Sequence, residues 1–226
     1  VTAARSYQDP CGIARALDLV GERWALLVVR DLLLGPKRFG QLRQGLGAVS
    51  PNVLSQRVRE LEAAGVVQRR RLGPPTGAVV YELTARGREL EPALLALGRW
   101  GAATAVDTEA ELTVDSLVIA LKSMFDPGRA AGLRASYRLR LDVETFHLTV
   151  ADGVLTAART DDGSADVTID TDPATLRAVI FGGRPLADAE RSGALTVTGD
   201  HAAAATLVTL FPVTGGERDG ARRCRR

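Results

Sequence analysis

Ser50 to Leu83 reads SPNVLSQRVRELEAAGVVQRRRLGPPTGAVVYEL, and this stretch decides the fold of the first half of the chain. Ser50-Pro51 is a strong helix start, a hydroxyl able to accept a backbone N–H followed by a proline whose fixed φ suits the first helical position. Leu54, Val58 and Leu61 then fall on one helix face, with Asn52, Ser55, Gln56 and Arg59 on the opposite one, until Gly65 ends the helix. Val66 to Leu72 and Val79 to Leu83 read as two strands, joined by the loop Gly73-Pro74-Pro75-Thr76-Gly77. A helix face of this kind carries the chemistry that reads base edges: Arg forms two parallel hydrogen bonds with guanine, and Asn or Gln does the same with adenine. The helix N-terminus turns N–H groups and a positive dipole end toward phosphate. Any surface helix has a polar face. Here three neighbours strengthen the reading: the short Gly47-Ala48-Val49 turn before the helix, Arg69-Arg70-Arg71 in the strand after it, and the proline-rich loop tip.

Working upstream, Ile13, Ala16, Leu17 and Val20 are spaced as a helix ending at Gly21. Residues 22–34 follow as a more apolar helix closed by Gly35-Pro36, and residues 37–46 as a third with Phe39, Leu42 and Leu46 on one side. Downstream, Thr84 caps a last helix carrying Leu90, Leu94, Leu97 and Trp100 on one side. Helix, helix, short turn, helix, β-hairpin, helix is the order of a winged helix-turn-helix.

The charge distribution agrees. The 226 residues carry a formal net charge of only +2, but residues 1–104 hold 15 Lys and Arg against 9 Asp and Glu, a net of +6, and the remainder hold 14 against 18, a net of −4. A basic half facing a polyanion fits this asymmetry. Hydrophobic residues at 46% and charged residues at 25% are close to globular averages and allow a core in each half. No apolar run reaches membrane-span length, no secretory signal opens the chain, and a cytoplasmic protein is expected. Two cysteines, Cys11 and Cys224, make no disulfide framework, and two histidines, His147 and His201, make no metal cluster, so neither metal nor cofactor is expected.

The second half reads differently. Residues 105–111 are polar and acidic and read as a linker. Residues 112–212 read as a second domain, and residues 213–226 as a basic, disordered tail. Within the second domain a helix near 113–125 precedes strands at 133–141, 145–150, 154–158 and 167–171. A helix from Asp172-Pro173 to Ile180, a short helix after Pro185, a strand at Leu195 to Val197 and a helix from Asp200 to Phe211 complete it. Every strand alternates apolar with polar, which predicts an antiparallel five-stranded sheet covered on one face by helices. The whole chain is then of the α+β class. Between that sheet and its helices, Leu117, Leu121, Phe125, Leu139, Leu141, Phe146, Leu148, Ile169, Leu176, Ile180, Leu207 and Phe211 form either a packed core or the lining of an apolar ligand pocket. Asp161-Asp162 and Asp170/Asp172 are carboxylate pairs placed in turns or at a cap. With no nucleophile beside either histidine, an enzyme is not expected.

From Cys11 to Ala102 the chain resembles the HxlR family of bacterial winged-helix regulators, relatives of the MarR type. The resemblance is carried by ALDLVGERWALLVVRDLLLGPKRFGQLRQGL (Ala16 to Leu46), SPNVLSQRVRELEAAGVV (Ser50 to Val67), YELTARG (Tyr81 to Gly87) and LGRWG (Leu97 to Gly101). It implies a transcriptional regulator that forms a homodimer through the first and last helices of the domain and binds a double-stranded DNA operator with both recognition helices. Lys37, Arg38, Ser50, Asn52, Ser55, Gln56, Arg59, Arg69 and Arg70 are the expected DNA contacts. Gly12 departs from the proline usual after the family's cysteine. Residues 112–212 are similar to the sterol-carrier-protein type-two fold, through the order strand, DP-helix, Gly-Gly, short helix, GALTVTGD strand (Gly193 to Asp200) and closing helix. Three functions follow as expectations: a regulator controlled by an apolar small molecule held in the second domain, a redox-sensing regulator switched through Cys11 with the second domain as a brace, or a lipid carrier.

Overall fold

The computed structural model describes residues 6–104 and 111–212; most of the expected linker and the whole expected tail, including Cys224, lie outside the described residues. The first part runs α1 (Gly12–Val20), α2 (Ala25–Leu32), α3 (Phe39–Leu46), α4 (Pro51–Ala63), β1 (Val67–Arg71), β2 (Val79–Leu83), α5 (Ala85–Arg88) and α6 (Glu91–Ala102). The second runs α7 (Val114–Met124), β3 (Ala135–Leu141), β4 (Glu144–Ala151), β5 (Val154–Arg159), β6 (Val167–Thr171), α8 (Pro173–Ile180), α9 (Leu186–Arg191), β7 (Leu195–Gly199) and α10 (His201–Thr209). The expected α+β class and the order of the winged helix-turn-helix are both found.

Two helices are shorter than their apolar patterns. α2 starts only at Ala25, because Trp24 sits at φ 78, a left-handed conformation that no helix interior accommodates. The helix expected from Thr84 is broken in two. Thr84 caps α5 by accepting the Gly87 N–H at 3.0 Å, and Pro92, which has no N–H to continue the ladder, starts α6 after Leu90.

Residues 135–199 form one five-stranded sheet in the order β5-β4-β3-β6-β7. It is mixed, not antiparallel: β3 and β6 pair in parallel, with Tyr137 opposite Val167 and Leu141 opposite Thr171. The reason is the connection from β5 to β6. Residues 160–166 cross the polar face of the sheet, where Arg138 donates to the carbonyls of Asp161 and Gly163 and the His147 ring meets the Ser164 carbonyl at 3.1 Å. The chain therefore re-enters beside β3 running in the same direction. Alternation correctly assigned each residue to a face but carries no information on strand direction.

Two hydrophobic clusters hold the fold. One joins Val28, Val29, Leu32, Leu42, Leu54, Val58 and Leu61 within the winged helix. The other joins the inner face of the large sheet to α7, α8 and α10, and it includes Leu34 from the turn after α2. The halves also meet where α6 lies on α7. A Cβ at Gly98 would stand 2.8 Å from Ser123 Oγ, so the two helices approach closely at that point. Arg99 donates to the carbonyls of Ser123 (2.9 Å) and Phe125 (3.1 Å), capping the end of α7, and Lys122 pairs with Glu91.

Candidate nucleic-acid interface

α4 is built as its sequence dictates. Ser50 Oγ accepts the Val53 N–H at 3.4 Å and Pro51 occupies the first turn. Gly47, at φ 54, ends α3 in a conformation that glycine tolerates and other residues resist, which permits the abrupt turn into α4. Leu54, Val58 and Leu61 are buried, each contributing about 1.5–3 kcal/mol of burial. That fixes the opposite side outward: Asn52, Gln56 and Arg59 are exposed and Ser55 is half-buried. Arg59 donates to Gln56 Oε1 at 3.0 Å, and Gln56 Nε2 donates to Glu60 at 2.6 Å. The two side chains best suited to bases are thus held side by side, and Gln56 must exchange those bonds before it can pair with an adenine edge.

The wing divides its arginines. β1 and β2 pair antiparallel, with Arg69 opposite Tyr81 and Arg71 opposite Val79. Period two places Gln68 and Arg70 on the other face from Arg69 and Arg71. Arg70 Nε bonds both Glu82 oxygens at 3.0 Å, and Gln68 donates to the same carboxylate at 2.8 Å. The hydrogen bond from Arg70 holds the Glu82 carboxyl below its usual range, and the same contact raises Arg70. Arg70 is therefore engaged within the wing. Arg69 and Arg71 are exposed and share one face, and neither side chain makes a hydrogen bond or ion pair among the described residues. Arg71 was not among the expected contacts, although strand alternation pairs it with Arg69. Arg43 was also missed: it is exposed on α3 and borders an open hollow shared with Gly47 and Pro51.

Lys37 requires a correction. Its expected role was a phosphate contact, but it is 3% exposed, its Nζ lying 3.5 Å from Asp31 and bonded to Asp115. A charge enclosed by two carboxylates cannot reach a phosphate. Arg38, next to it, is exposed at the start of α3.

The expected ligand pocket also requires correction. Of its twelve candidate residues none is more than 6% exposed. A ligand-sized void would leave far more accessible area on its walls than these side chains keep, so the sheet and its helices pack closely. Phe211 closes the helix side, its ring 6.4 Å from that of Phe125 and 6.3 Å from that of Phe181. Hollows lie elsewhere, including a cleft of about 670 Å³ between α3 and the second half, bordered by polar and apolar residues alike, among them Gln41, Val143, Glu144 and Asp172.

Cys11 is exposed and immediately precedes α1, its backbone N–H bonded to Asp9 at 2.8 Å. Asp172 caps α8 through the Thr175 N–H (2.8 Å) and hydroxyl (2.7 Å), which hold its carboxyl below the usual range. Among the described residues no group of His, Cys, Asp and Glu could hold a metal, and no helix is long and apolar enough to cross a membrane.

Comparison with known proteins places these features. Residues 19–109 match the HxlR-like helix-turn-helix family, and residues 102–214 match the alkyl sulfatase C-terminal family. An uncharacterized HTH-type transcriptional regulator of Synechocystis sp. is 40% identical over 91 residues, covering 40% of this chain and 67% of the relative. Another, of Mycobacterium tuberculosis, is 43% identical over 89 residues, covering 39% of this chain and 56% of the relative. The match thus spans little more than half of that protein. The stereoselective inverting sec-alkylsulfatase Pisa1 of Pseudomonas sp. is 24% identical with a TM-score of 0.42, over 44% of this chain and 16% of the enzyme. With its winged helix matched by family and by curated HTH-type regulators alike, the chain belongs to the HxlR-like helix-turn-helix family.

Proposed function

We propose that this protein is a homodimeric transcriptional regulator that binds a two-half-site operator. The observation that carries the reading is α4: its apolar face is sealed inside the winged helix while Asn52, Gln56 and Arg59 stand in solvent beside a capped N-terminus. On this reading Gln56, Arg59 and Asn52 meet base edges, and Ser50, Ser55, Arg38, Arg69 and Arg71 meet phosphates. Dimerisation is supported by apolar side chains left in solvent on α1 and α6: Ile13 and Trp100 are 73% and 74% exposed, and Leu17 and Leu97 join them. Residues 1–104 then act as the DNA-binding and dimerising unit and residues 112–212 as a sterol-carrier-type brace packed on α6, a reading supported by the burial of all twelve side chains between the large sheet and its helices. Operator selection from random duplexes followed by footprinting tests the proposal. Two protected half-sites about one helical turn, 34–36 Å, apart are expected. Protection of a single half-site would refute the dimer, and failure to enrich any sequence would refute the regulator.

A second reading, redox switching through Cys11, is favoured by the exposure of its thiol at the start of a helix on that apolar surface. Cys11→Ser should then retain DNA binding and lose its response to diamide. Equal sensitivity in the variant and the natural chain would remove it.

A further inference from the structure

The turn joining α2 to α3 is held from three sides. Its Leu34 side chain packs into the hydrophobic cluster of the second half rather than the one formed by the helices it connects. The Leu34 carbonyl accepts the backbone N–H of Arg159, at the end of β5, at 2.9 Å. Three residues on, the Lys37 backbone pairs with Tyr81 of β2 through both its N–H (2.9 Å) and its carbonyl (2.8 Å), an isolated one-residue bridge on the edge of the wing. The Lys37 side chain leaves the wing in the other direction, between Asp31 of α2 and Asp115 in the first turn of α7. The second Asp115 oxygen accepts from Arg159, whose guanidinium also bonds Glu144 at 2.6 Å and lies 5.2 Å over the Phe146 ring.

The cluster is balanced: Arg30, Lys37 and Arg159 face Asp31, Asp115 and Glu144. Asp31, Lys37 and Asp115 are all buried. Burying such groups is costly, and apolar residues of similar volume would often hold two surfaces together as well. What a hydrogen-bonded ion cluster adds is direction, because each partner must stay within a few tenths of an ångström of its place. On the Asp31 side the cluster is tightly abutted by α3: a Cβ at Gly45 would stand 2.6 Å from Asp31 Oδ2.

We propose that Lys37 and Asp115 are positioning residues for the nucleic-acid interface. They lock wing strand β2 and the start of α3 to α7 and β5, so that a displacement in the second half is passed directly to the wing. The consequence for DNA rests on the regulator reading given above; the mechanical joint does not. Lys37 thereby serves DNA binding through Tyr81 and not by touching a phosphate.

The test uses the full chain carrying Asp115→Asn, Asp115→Leu, or Lys37→Met with Asp115→Leu, which removes one charge of each sign. Amide hydrogen exchange is read by residue, and binding to a short random-sequence duplex is measured at fixed salt. In Asp115→Asn, exchange at Lys37 and Tyr81 should quicken by about fivefold or more while β7 and α10 stay unchanged, and DNA affinity should fall by a comparable factor. The double variant should lie closer to the natural chain at Tyr81 than Asp115→Leu does, the signature of direct coupling. Unchanged exchange at Tyr81 overturns the proposal, as does uniform acceleration across all elements, which would mean a purely global stability effect. If the natural chain fails to hold the duplex while Tyr81 responds as expected, the DNA reading falls and the joint stands.

Discussion

Replacing Arg69 by alanine separates the wing cations that can meet DNA from those that cannot. Arg69 is exposed without a carboxylate partner among the described residues, Arg70 is bonded through its Nε to both oxygens of Glu82, and Lys37 is sealed between Asp31 and Asp115. Only a guanidinium free to neutralise a phosphate releases counterions on binding, and each such contact adds about −0.9 to the slope of log K against log salt. A homodimer loses two contacts at once, so Arg69→Ala should make the slope shallower by about 1.8. Over a fourfold rise in salt, from about 50 to 200 mM, the affinity gap between natural chain and variant should shrink about twelvefold. Arg70→Ala should change the slope by less than half as much, because its charge is already compensated. Lys37→Met should weaken binding with no change of slope, since it acts through Tyr81. Fluorescence-anisotropy titrations at four salt concentrations give all three slopes. Equal slope losses for Arg69→Ala and Arg70→Ala would refute the division of the wing into a free and an engaged face.

Tyr137 is fully buried on the inner face of β3, its hydroxyl without a partner among the described residues and pushed by burial up to about 12. Tyr137→Phe should therefore leave thermal stability unchanged or raise it by about 1 kcal/mol, and a clear loss would reveal a hydrogen-bond partner. The fold favours the protonated phenol, so this contribution is intact below the ordinary value of 10 and is lost as pH rises toward about 12. The natural chain should lose about 2–3 kcal/mol across that range that the phenylalanine variant keeps. Ser50→Ala removes the cap on α4 and should cost about 0.5–1 kcal/mol in denaturant unfolding, the lower part of the usual range because the capping bond is long, 3.4 Å. Gly87→Ala would set a Cβ 2.1 Å from the Val66 carbonyl oxygen, so the chain between the wing and α5 must move. A loss of about 1–3 kcal/mol is expected, and unchanged unfolding would show that this contact relaxes freely.

The sequence alone determined the elements whose causes are local. Ser50, Pro51 and Gly65 bound α4 because capping, a fixed φ and a left-handed stop act within a few residues, and the 3.6-residue spacing of Leu54, Val58 and Leu61 decides which side is outward. The same holds for each strand of the large sheet, whose alternation assigns every residue to a face. Period two also places Arg71 beside Arg69. Tertiary structure decided what depends on residues far along the chain. Lys37 looks like any basic residue ahead of a helix until Asp115, 78 positions later, is folded against it. Strand direction in β3–β6 follows from where residues 160–166 cross the sheet, and alternation is identical for parallel and antiparallel neighbours. Whether Leu139, Phe146, Leu176 and Phe211 enclose a pocket or fill one is a matter of volume. Hydrophobic periodicity states that they converge, and only the packed rings and branched side chains decide how much space is left between them.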